Sequence, residues 1–388
     1  MPARPAGPTE LLSAFAVTAP GLEPLCATEL TALGLGGAVE PGGVSWSGTL
    51  DTVARANLWL RTASRVLVRV AQFRAASFFE LERHARRIPW PRFVAAGAAV
   101  EFRVTCRKSR LYHSDAVAQR LAESVERAVS GARIVRPTGT AGDDEPPVAE
   151  RRQLFVARFD HDRCTVSADS SGERLHMRGY RQQLAKAPLR ETLAAAVLLG
   201  ADWSGEIPLV DPMCGSGTIP IEAARIARRI APGRDRPFAF LAWPEVDRRQ
   251  WVSRVTEARD GELGGTRVRI EGYDRDGGAI TAARANAERA GVASDIEFGV
   301  QPLSALKNAP AAGLIAVNPP YGIRIGEADR LRNLYAQIGN VQRARRPGWS
   351  VALLAADPQL AGQTRLAFEE RWRSSNGGIP VKLLVTTG

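Results

Sequence analysis

Cysteine, histidine and long apolar runs are all scarce in this 388-residue chain. The four cysteines, Cys26, Cys106, Cys164 and Cys214, stand far apart and form no C-x-x-C pair, so neither a zinc knuckle nor a disulfide framework is supported. Free thiols in a reducing compartment are expected. The four histidines, His84, His113, His161 and His176, show no H-E-x-x-H or related spacing, and no metal site is expected. No apolar stretch is long enough to cross a bilayer, and the start, MPARPAGPTE, lacks the apolar core of a signal peptide and reads as a frayed tail. The expected location is the cytoplasm, without a membrane partner. No repeat at a fixed period stands out, and the one low-complexity stretch, RPTGTAGDDEPPVAERR at 136–152, reads as an exposed loop.

What is abundant is positive charge. Lysine and arginine number 52 against 41 acids, a net +11, which points to a polyanionic partner. Arginine-rich, alanine-rich chains are often basic without binding anything, so the clustering carries more weight than the total. Arg83, Arg86, Arg87 and Arg92 gather around RRIPWPRF, Arg107 to Arg110 form RKSR, and Arg343, Arg345 and Arg346 lie in QRARRPGW. Trp90, Phe93, Tyr112 and Trp349 are interleaved with them and are candidates for stacking on bases. Nucleic acid is the expected partner.

The pattern of elements changes near residue 184. Before it, AFAVTAPGLEPLCATELTALGL reads as a strand, a turn at Pro20-Gly21 and a helix with Leu22, Leu25, Leu30 and Leu33 on one side. A helix around 51–62 and a strand at 65–72 follow, then a strand, the basic loop and a helix capped by Ser114. QLFVARFD and CTVSADSS are alternating strands joined by a hairpin at Asp160-His161-Asp162. This half is mixed α+β. After it, strands alternate with helices, the signature of an α/β, mainly parallel, doubly wound sheet. EIPLV, RVRIEGYD, SDIEFGV, AGLIAV and WSVALLAA are its strands, a helix is expected over 359–370, and EERWR, SSNGG and IPVKLLVTT close the chain as a β-hairpin at the sheet edge.

The first strand of that sheet runs into DPMCGSGT, Asp211 to Thr218, and then a helix. Glycines at a strand-to-helix turn allow close backbone approach, and the free N–H groups of the helix start suit an anionic group. There is no G-K-[ST] for a phosphate loop and no third glycine spaced for a dinucleotide. Asp211 and Pro212 followed by Gly215-Ser216-Gly217-Thr218 instead resemble motif I of class I S-adenosylmethionine-dependent methyltransferases, where the loop wraps the amino-acid end of the cofactor. Cys214 reads as a small neutral lining residue. In EGYDRD, Asp274 is the candidate acceptor for ribose hydroxyls, and Asp276 is better placed to cap the next helix. APGRDRPFAFLAWPEVDRRQW reads as an insertion between that helix and that strand.

The fourth strand, LIAV, runs directly into Asn318-Pro319-Pro320-Tyr321. Two prolines fix the chain where strand becomes loop, at the carboxyl edge where open α/β sheets place their sites. N-P-P-Y there resembles motif IV of amino-methyltransferases. An exocyclic amine is a poor nucleophile because its lone pair is delocalised into the ring. The Asn318 side-chain oxygen and the Pro319 carbonyl can accept its N–H bonds and stabilise the positive charge that develops, while Tyr321 would stack on a base taken out of its helix.

LHMRGYRQQLAKAPLRETLAAAVLLGADW (175–203), together with DPMCGSGT and NPPYGIR, resembles the bacterial THUMP-domain RNA guanine-N2 methyltransferases, including those acting on 23S rRNA, over nearly the whole chain. That resemblance implies a ferredoxin-like domain at 1–70, a THUMP RNA-binding domain at 71–183 and a class I (Rossmann-like) methyltransferase domain at 184–388. It implies transfer of a methyl group from S-adenosylmethionine to N2 of a guanosine, in 23S rRNA or, as the alternative, tRNA. It also places Glu191 and Thr192 beside the cofactor's methionine end, after a helix start at Pro188. A DNA adenine-N6 methyltransferase shares N-P-P-Y, and a non-catalytic RNA-binding factor could keep the fold; intact Asn318 and Gly215-Ser216-Gly217 argue against the latter. One departure from the family pattern stands at FGVQPLSAL, where Pro302 occupies the place of an acid that faces adenine. The Gln301 amide or backbone groups are expected there instead.

Overall fold

Alternating apolar and polar residues in the first half, and near-continuous apolar runs in the second, build two different sheets. The computed structural model describes residues 10–136, 152–182, 189–309, 312–321 and 328–387. The expected N-terminal tail, most of the 136–152 loop, the helix start at Pro188 and the GIRIG that follows Tyr321 lie outside the described residues. The chain divides into two compact units, neither a continuous stretch. The first gathers the chain up to Val17, Ala27–Leu175 and Arg236–Val255; the second gathers Thr18–Cys26, His176–Asp235 and Thr256–Gly388.

In the first unit, with Thr18 and the start of α1 up to Cys26 falling to the second, the elements run β1 (Leu12–Thr18), α1 (Glu23–Ala32), β2 (Ala38–Glu40), β3 (Gly43–Gly48), α2 (Leu50–Trp59), β4 (Ala63–Arg74), α3 (Phe78–Ala85), β5 (Ala99–Arg107), α4 (Ser114–Ala128), β6 (Arg133–Val135), β7 (Arg152–Asp160) and β8 (Arg163–Asp169). They form one eight-stranded sheet in the order β2-β3-β1-β4-β8-β7-β5-β6. The β7–β8 hairpin turns at His161 and Asp162, both at positive φ (50° and 61°), the pair that a tight two-residue turn requires. Ser114 is the first helical residue of α4 rather than its cap: His113 holds the flanking position and makes no side-chain cap bond. From Arg236 onward, the stretch that reads as an insertion packs as part of this unit. Phe240 donates its N–H to the Ser170 carbonyl at 3.0 Å, and Trp243 donates its indole N–H to Gln153 at 2.7 Å.

The second unit contains α5 (Glu191–Gly200), β9 (Leu209–Asp211), α6 (Thr218–Ala227), then, after α7 (Arg248–Asp260), β10 (Ile270–Asp274), α8 (Gly277–Arg289), β11 (Ile296–Val300), β12 (Leu314–Val317), α9 (Ala328–Arg345), β13 (Ser350–Ala355), α10 (Pro358–Gly362), β14 (Phe368–Asn376) and β15 (Ile379–Thr386). Its strand order is β11-β10-β9-β12-β13-β15-β14. The first five strands are parallel, and β15 joins β13 and β14 antiparallel. Successive residues of β12 enter different cores. Leu314 and Ala316 belong to one buried cluster, Ile315 and Val317 to the other, so both faces of the sheet are covered. That explains an unbroken apolar run where a one-faced strand would alternate. Burial of each such Leu, Ile or Val side chain contributes roughly 1.5–3 kcal/mol.

The helix expected over 359–370 stops at Gly362. The Thr364 hydroxyl donates to the Ala361 carbonyl at 2.8 Å and accepts the Leu366 N–H at 3.2 Å. Arg365 takes a left-handed φ of 55°, which turns the chain into β14. The sequence reading did not anticipate α9, whose Leu331, Tyr335, Ile338 and Val341 are buried at helical spacing. Among the described residues, no helix is long and apolar enough to cross a membrane.

Gly339, inside α9, is held against the Thr364 turn: a Cβ there would lie 1.9 Å from the Thr364 carbonyl oxygen. Alanine gains about 1 kcal/mol over glycine in a helix interior, but overpacking against backbone costs more, typically ~1–3 kcal/mol and sometimes beyond. Gly339→Ala is therefore expected to lower stability by about 1–2 kcal/mol in urea denaturation; a stabilised variant would show that α9 stands clear of that turn.

Candidate active site

The loop after β9 is held open by its own backbone and by the neighbouring strand. Asp211 is buried at the strand end, and its carboxylate accepts the Met213 N–H at 3.0 Å. Cys214 donates its N–H to the Tyr273 carbonyl of β10 at 2.9 Å, and Gly217 closes back onto the Cys214 carbonyl at 2.8 Å. Gly215 and Gly217 adopt φ of 53° and 85°. The two glycines differ in their surroundings. A Cβ on Gly217 would meet Ala283 at 3.0 Å and Phe298 at 3.2 Å, whereas a Cβ on Gly215 would meet no atom within 4 Å. Gly217 thus lets α6 pack, and Gly215 leaves room in front of the loop. Burial and the nearby carboxylates of Asp211 and Asp274 push the Cys214 thiol up, which keeps it neutral. Burial, with the charge of Asp274, also holds the Asp211 carboxyl well above the usual carboxylate range.

Asp274 ends β10 beside this loop. One of its oxygens accepts the Gly215 N–H at 3.0 Å and the other accepts the Asp276 N–H at 3.0 Å, leaving a lone pair on each for a further donor. Asp276 caps α8 by accepting the Gly278 N–H at 2.8 Å. Gln301 donates its N–H to the Asp274 carbonyl at 2.9 Å, which sets Gln301-Pro302 beside the same strand end. A residue that the sequence reading missed, buried Asn286 on α8, donates to the Ser216 carbonyl at 3.0 Å and fixes the middle of the loop. An asparagine inside an alanine-rich helix offered no signal of that role.

Glu191 opens α5 and is fully buried, with Thr192 buried next to it. Its Oε1 pairs with Arg181 at 3.3 Å, while its Oε2 is buried without a hydrogen-bond partner among the described residues. Burial pushes its carboxyl up to about 7, against the pull of Arg181. The surrounding polar set was also missed in the sequence. Glu222 of α6 is paired with Arg178 and accepts the Tyr180 hydroxyl at 2.9 Å, and Arg289 of α8 donates to the Tyr180 carbonyl at 2.7 Å.

Asn318, Pro319, Pro320 and Tyr321 follow β12, which lies beside β9 with Leu314 opposite Leu209 and Ile315 opposite Val210. The two motifs therefore leave adjacent parallel strands at the same edge, where the order reverses between β9 and β12. Asn318 is half-buried, Pro319 buried and Pro320 exposed. Tyr321 rests its ring against the core that holds Leu314 and Ala316, and its hydroxyl donates to Asn318 Oδ1 at 2.7 Å. Asn376, in the C-terminal hairpin, donates to that hydroxyl at 3.1 Å. Among the described residues, no group of three or more His, Cys, Asp or Glu side chains comes together as a metal ion would need.

The arginine clusters fare differently. Arg92 is tied to Glu10 and Glu245, and Arg346 is buried against Glu271 at 3.2 Å and over Trp349. Three of the four aromatics expected to stack on bases are corrected by the structure: Trp90, Phe93 and Trp349 are buried, because their large apolar surfaces are worth more inside the core. Tyr112 is 69% exposed and lies against His113 with ring centroids 4.1 Å apart. Arg107, Lys108 and Arg110 beside it are exposed, and among the described residues none of the three is held in an ion pair.

Glu191 carries a pH signature. With its folded value raised, the folded chain keeps a proton that the unfolded chain loses above about pH 4.5, so stability drops as pH rises towards 7. Glu191→Gln removes that loss. Its thermal midpoint relative to the natural chain, without ligand, is expected to climb between pH 5 and pH 8; a flat difference in calorimetry would show that Glu191 ionises freely.

Known proteins resemble this chain over most of its length. Residues 178–383 match the family described as the RMKL-like methyltransferase domain, and residues 13–67 match the RlmL ferredoxin-like domain. The ribosomal RNA large subunit methyltransferase K/L of Syntrophotalea carbinolica is 38% identical over 95% of this chain, but the chain spans only 53% of that protein, about half its length. A candidate RNA methyltransferase of Synechocystis sp., slr0064, is 35% identical with 95% of both chains covered. A crystal structure of a candidate methyltransferase complexed with SAH superposes with a TM-score of 0.85 at 30% identity, covering 98% of each chain. With its glycine loop and N-P-P-Y on adjacent strands and both patterns matched, the chain belongs to the RMKL-like methyltransferase family.

Proposed function

We propose that the protein transfers a methyl group from S-adenosylmethionine to the exocyclic N2 of a guanosine in RNA, with 23S rRNA as the favoured substrate. The observation that carries this reading is the placement of Asn318-Pro319 at the end of β12, next to the glycine loop that follows β9. When bound, S-adenosylmethionine supplies a methyl group on a sulfonium centre. The residues fit such a ligand: Gly215 leaves open space before the loop, Asp274 keeps a lone pair on each oxygen for ribose hydroxyls, and buried Glu191 has an oxygen without a hydrogen-bond partner among the described residues, suited to an ammonium group.

Asn318 Oδ1 and the Pro319 carbonyl are the acceptors for the target amine. Both are neutral, which suits an amine that must be oriented and its developing charge stabilised, without removal of a proton by a strong base. Pro319 and Pro320 restrict the backbone, so the two acceptors stay in one geometry. Residues 71–183 serve, on this reading, as the THUMP domain that grips RNA. The exposed Arg107, Lys108 and Arg110, with Tyr112 beside them, are cations available for phosphates, as are the exposed Arg83 and Arg87. The choice of large-subunit rRNA rests on the names of the K/L relatives.

Two outcomes are expected. Incubation with labelled S-adenosylmethionine and rRNA, followed by digestion to nucleosides, yields N2-methylguanosine, and Asn318→Ala lowers transfer by about 10²-fold or more while calorimetric cofactor binding is kept. Label in adenine, or on tRNA alone, would overturn the substrate assignment. Reversing charge at Arg107, Lys108 and Arg110 together weakens RNA binding uniformly and flattens its salt dependence, by roughly 0.7–0.9 in slope for each phosphate no longer neutralised; an unchanged slope would place the RNA-binding surface elsewhere.

A further inference from the structure

We propose that Asn376, at the turn of the C-terminal hairpin, is a positioning residue that sets the orientation of the Asn318 amide through the hydroxyl of Tyr321. The proposal rests on the amino-methyltransferase reading above. The three groups form a directed chain. Asn376 Nδ2 donates to Tyr321 Oη at 3.1 Å, and Tyr321 Oη donates to Asn318 Oδ1 at 2.7 Å.

Direction is what gives this chain a purpose. A phenol has one hydrogen to give. Because Asn376 offers only N–H at its Nδ2, the Tyr321 hydroxyl must accept there and turn its hydrogen towards Asn318. The Asn318 amide then has to present oxygen, since its NH2 would face the phenolic hydrogen donor to donor. Oδ1 keeps a second lone pair for an incoming N–H of the substrate. Without the relay, the amide could rotate by half a turn and offer NH2 to an amine, which repels rather than binds it. Burial keeps the phenol in its protonated, donating form, pushing its ionisation up to about 12.

The hairpin makes the placement rigid. Gly377 and Gly378 take φ of 57° and 83°, so the two left-handed turn positions fall after Asn376, and Asn376 pairs with Ile379. From there β15 is laddered to β13, Leu384 opposite Leu353, and β13 to β12, Leu353 opposite Val317. The donor and the acceptor are thus fixed through one continuous hydrogen-bonded sheet. Asn376 could instead serve the turn alone, and the test separates the two roles.

Asn376→Ala, Tyr321→Phe, the double variant and Asn376→Asp are compared with the natural chain. The readouts are methyl transfer from labelled S-adenosylmethionine to RNA, calorimetric cofactor binding and the urea midpoint. Each single loss is expected to lower kcat about tenfold, the scale of one hydrogen bond of ~1–1.5 kcal/mol, with cofactor affinity unchanged. Adding Asn376→Ala to Tyr321→Phe lowers kcat no further. Asn376→Asp keeps size and shape but can only accept, so it draws the Tyr321 hydrogen away from Asn318 and costs at least as much as alanine. Unchanged kcat in Asn376→Ala, additive losses in the double variant, or full activity in Asn376→Asp would overturn the proposal. Should the natural chain transfer no methyl group to any RNA, the functional reading fails by itself. The relay is then judged on the urea midpoints, where the double variant falls no lower than the deeper single variant if the groups are coupled, and additively if they are not.

Discussion

The parallel pairing of β9 with β12 is the constraint on which the site depends. Leu209 and Val210 on one strand, and Leu314 to Val317 on the other, are all buried, with alternate residues committed to clusters on opposite faces of the sheet. A strand covered on both faces has nowhere to present chemistry except at its ends. Because the two strands point the same way, both ends open at one edge. The glycine loop and N-P-P-Y meet there for that reason. Sliding β12 by one residue would exchange its two faces and move Asn318 away from the loop.

Around that edge the protein spends polar groups on fixing backbone. Asp274 holds the Gly215 N–H, Asn286 holds the Ser216 carbonyl, and Asp211 holds the Met213 N–H. Glu222, Arg178 and Tyr180 form a buried charged set that ties the segment before α5 to α6. A buried ion pair of this kind adds little net stability, since desolvation cancels most of the attraction, but breaking one partner leaves a charge stranded and costs about 3–5 kcal/mol. Such groups resist alternative packings. Burial chiefly pushes the Glu191 carboxyl up, and one of its oxygens has no hydrogen-bond partner among the described residues.

Charge and aromatic content, so prominent in the composition, were sorted by burial. Arg346 pairs inside the core and Arg92 is shared between two acids, while RKSR stays exposed on the loop after β5. No composition argument could distinguish these, because an arginine next to tryptophan reads the same whether it covers a core residue or waits for a phosphate.

The α/β class, the strand that carries N-P-P-Y, the glycine loop, the Asp276 cap and the closing hairpin were legible in the sequence, because each depends on a local pattern: apolar runs, turn residues and their spacing. Pro358–Gly362 was read too long and α9 was missed, since a hydroxyl turn at Thr364 and a mostly polar helix leave weak periodic signals. Membership of Arg236–Val255 in the first unit, the burial of Trp90 and Trp349, and the partners of Glu191 depend on residues far away in the chain. Asn376 shows the limit most clearly. By itself the sequence determined that Asn318 and two prolines follow a buried strand; only the tertiary structure decided that a hairpin residue 58 positions later (376 − 318) donates to Tyr321. Hydrogen-bond direction is a property of atoms brought together by the sheet, and sequence spacing does not encode it.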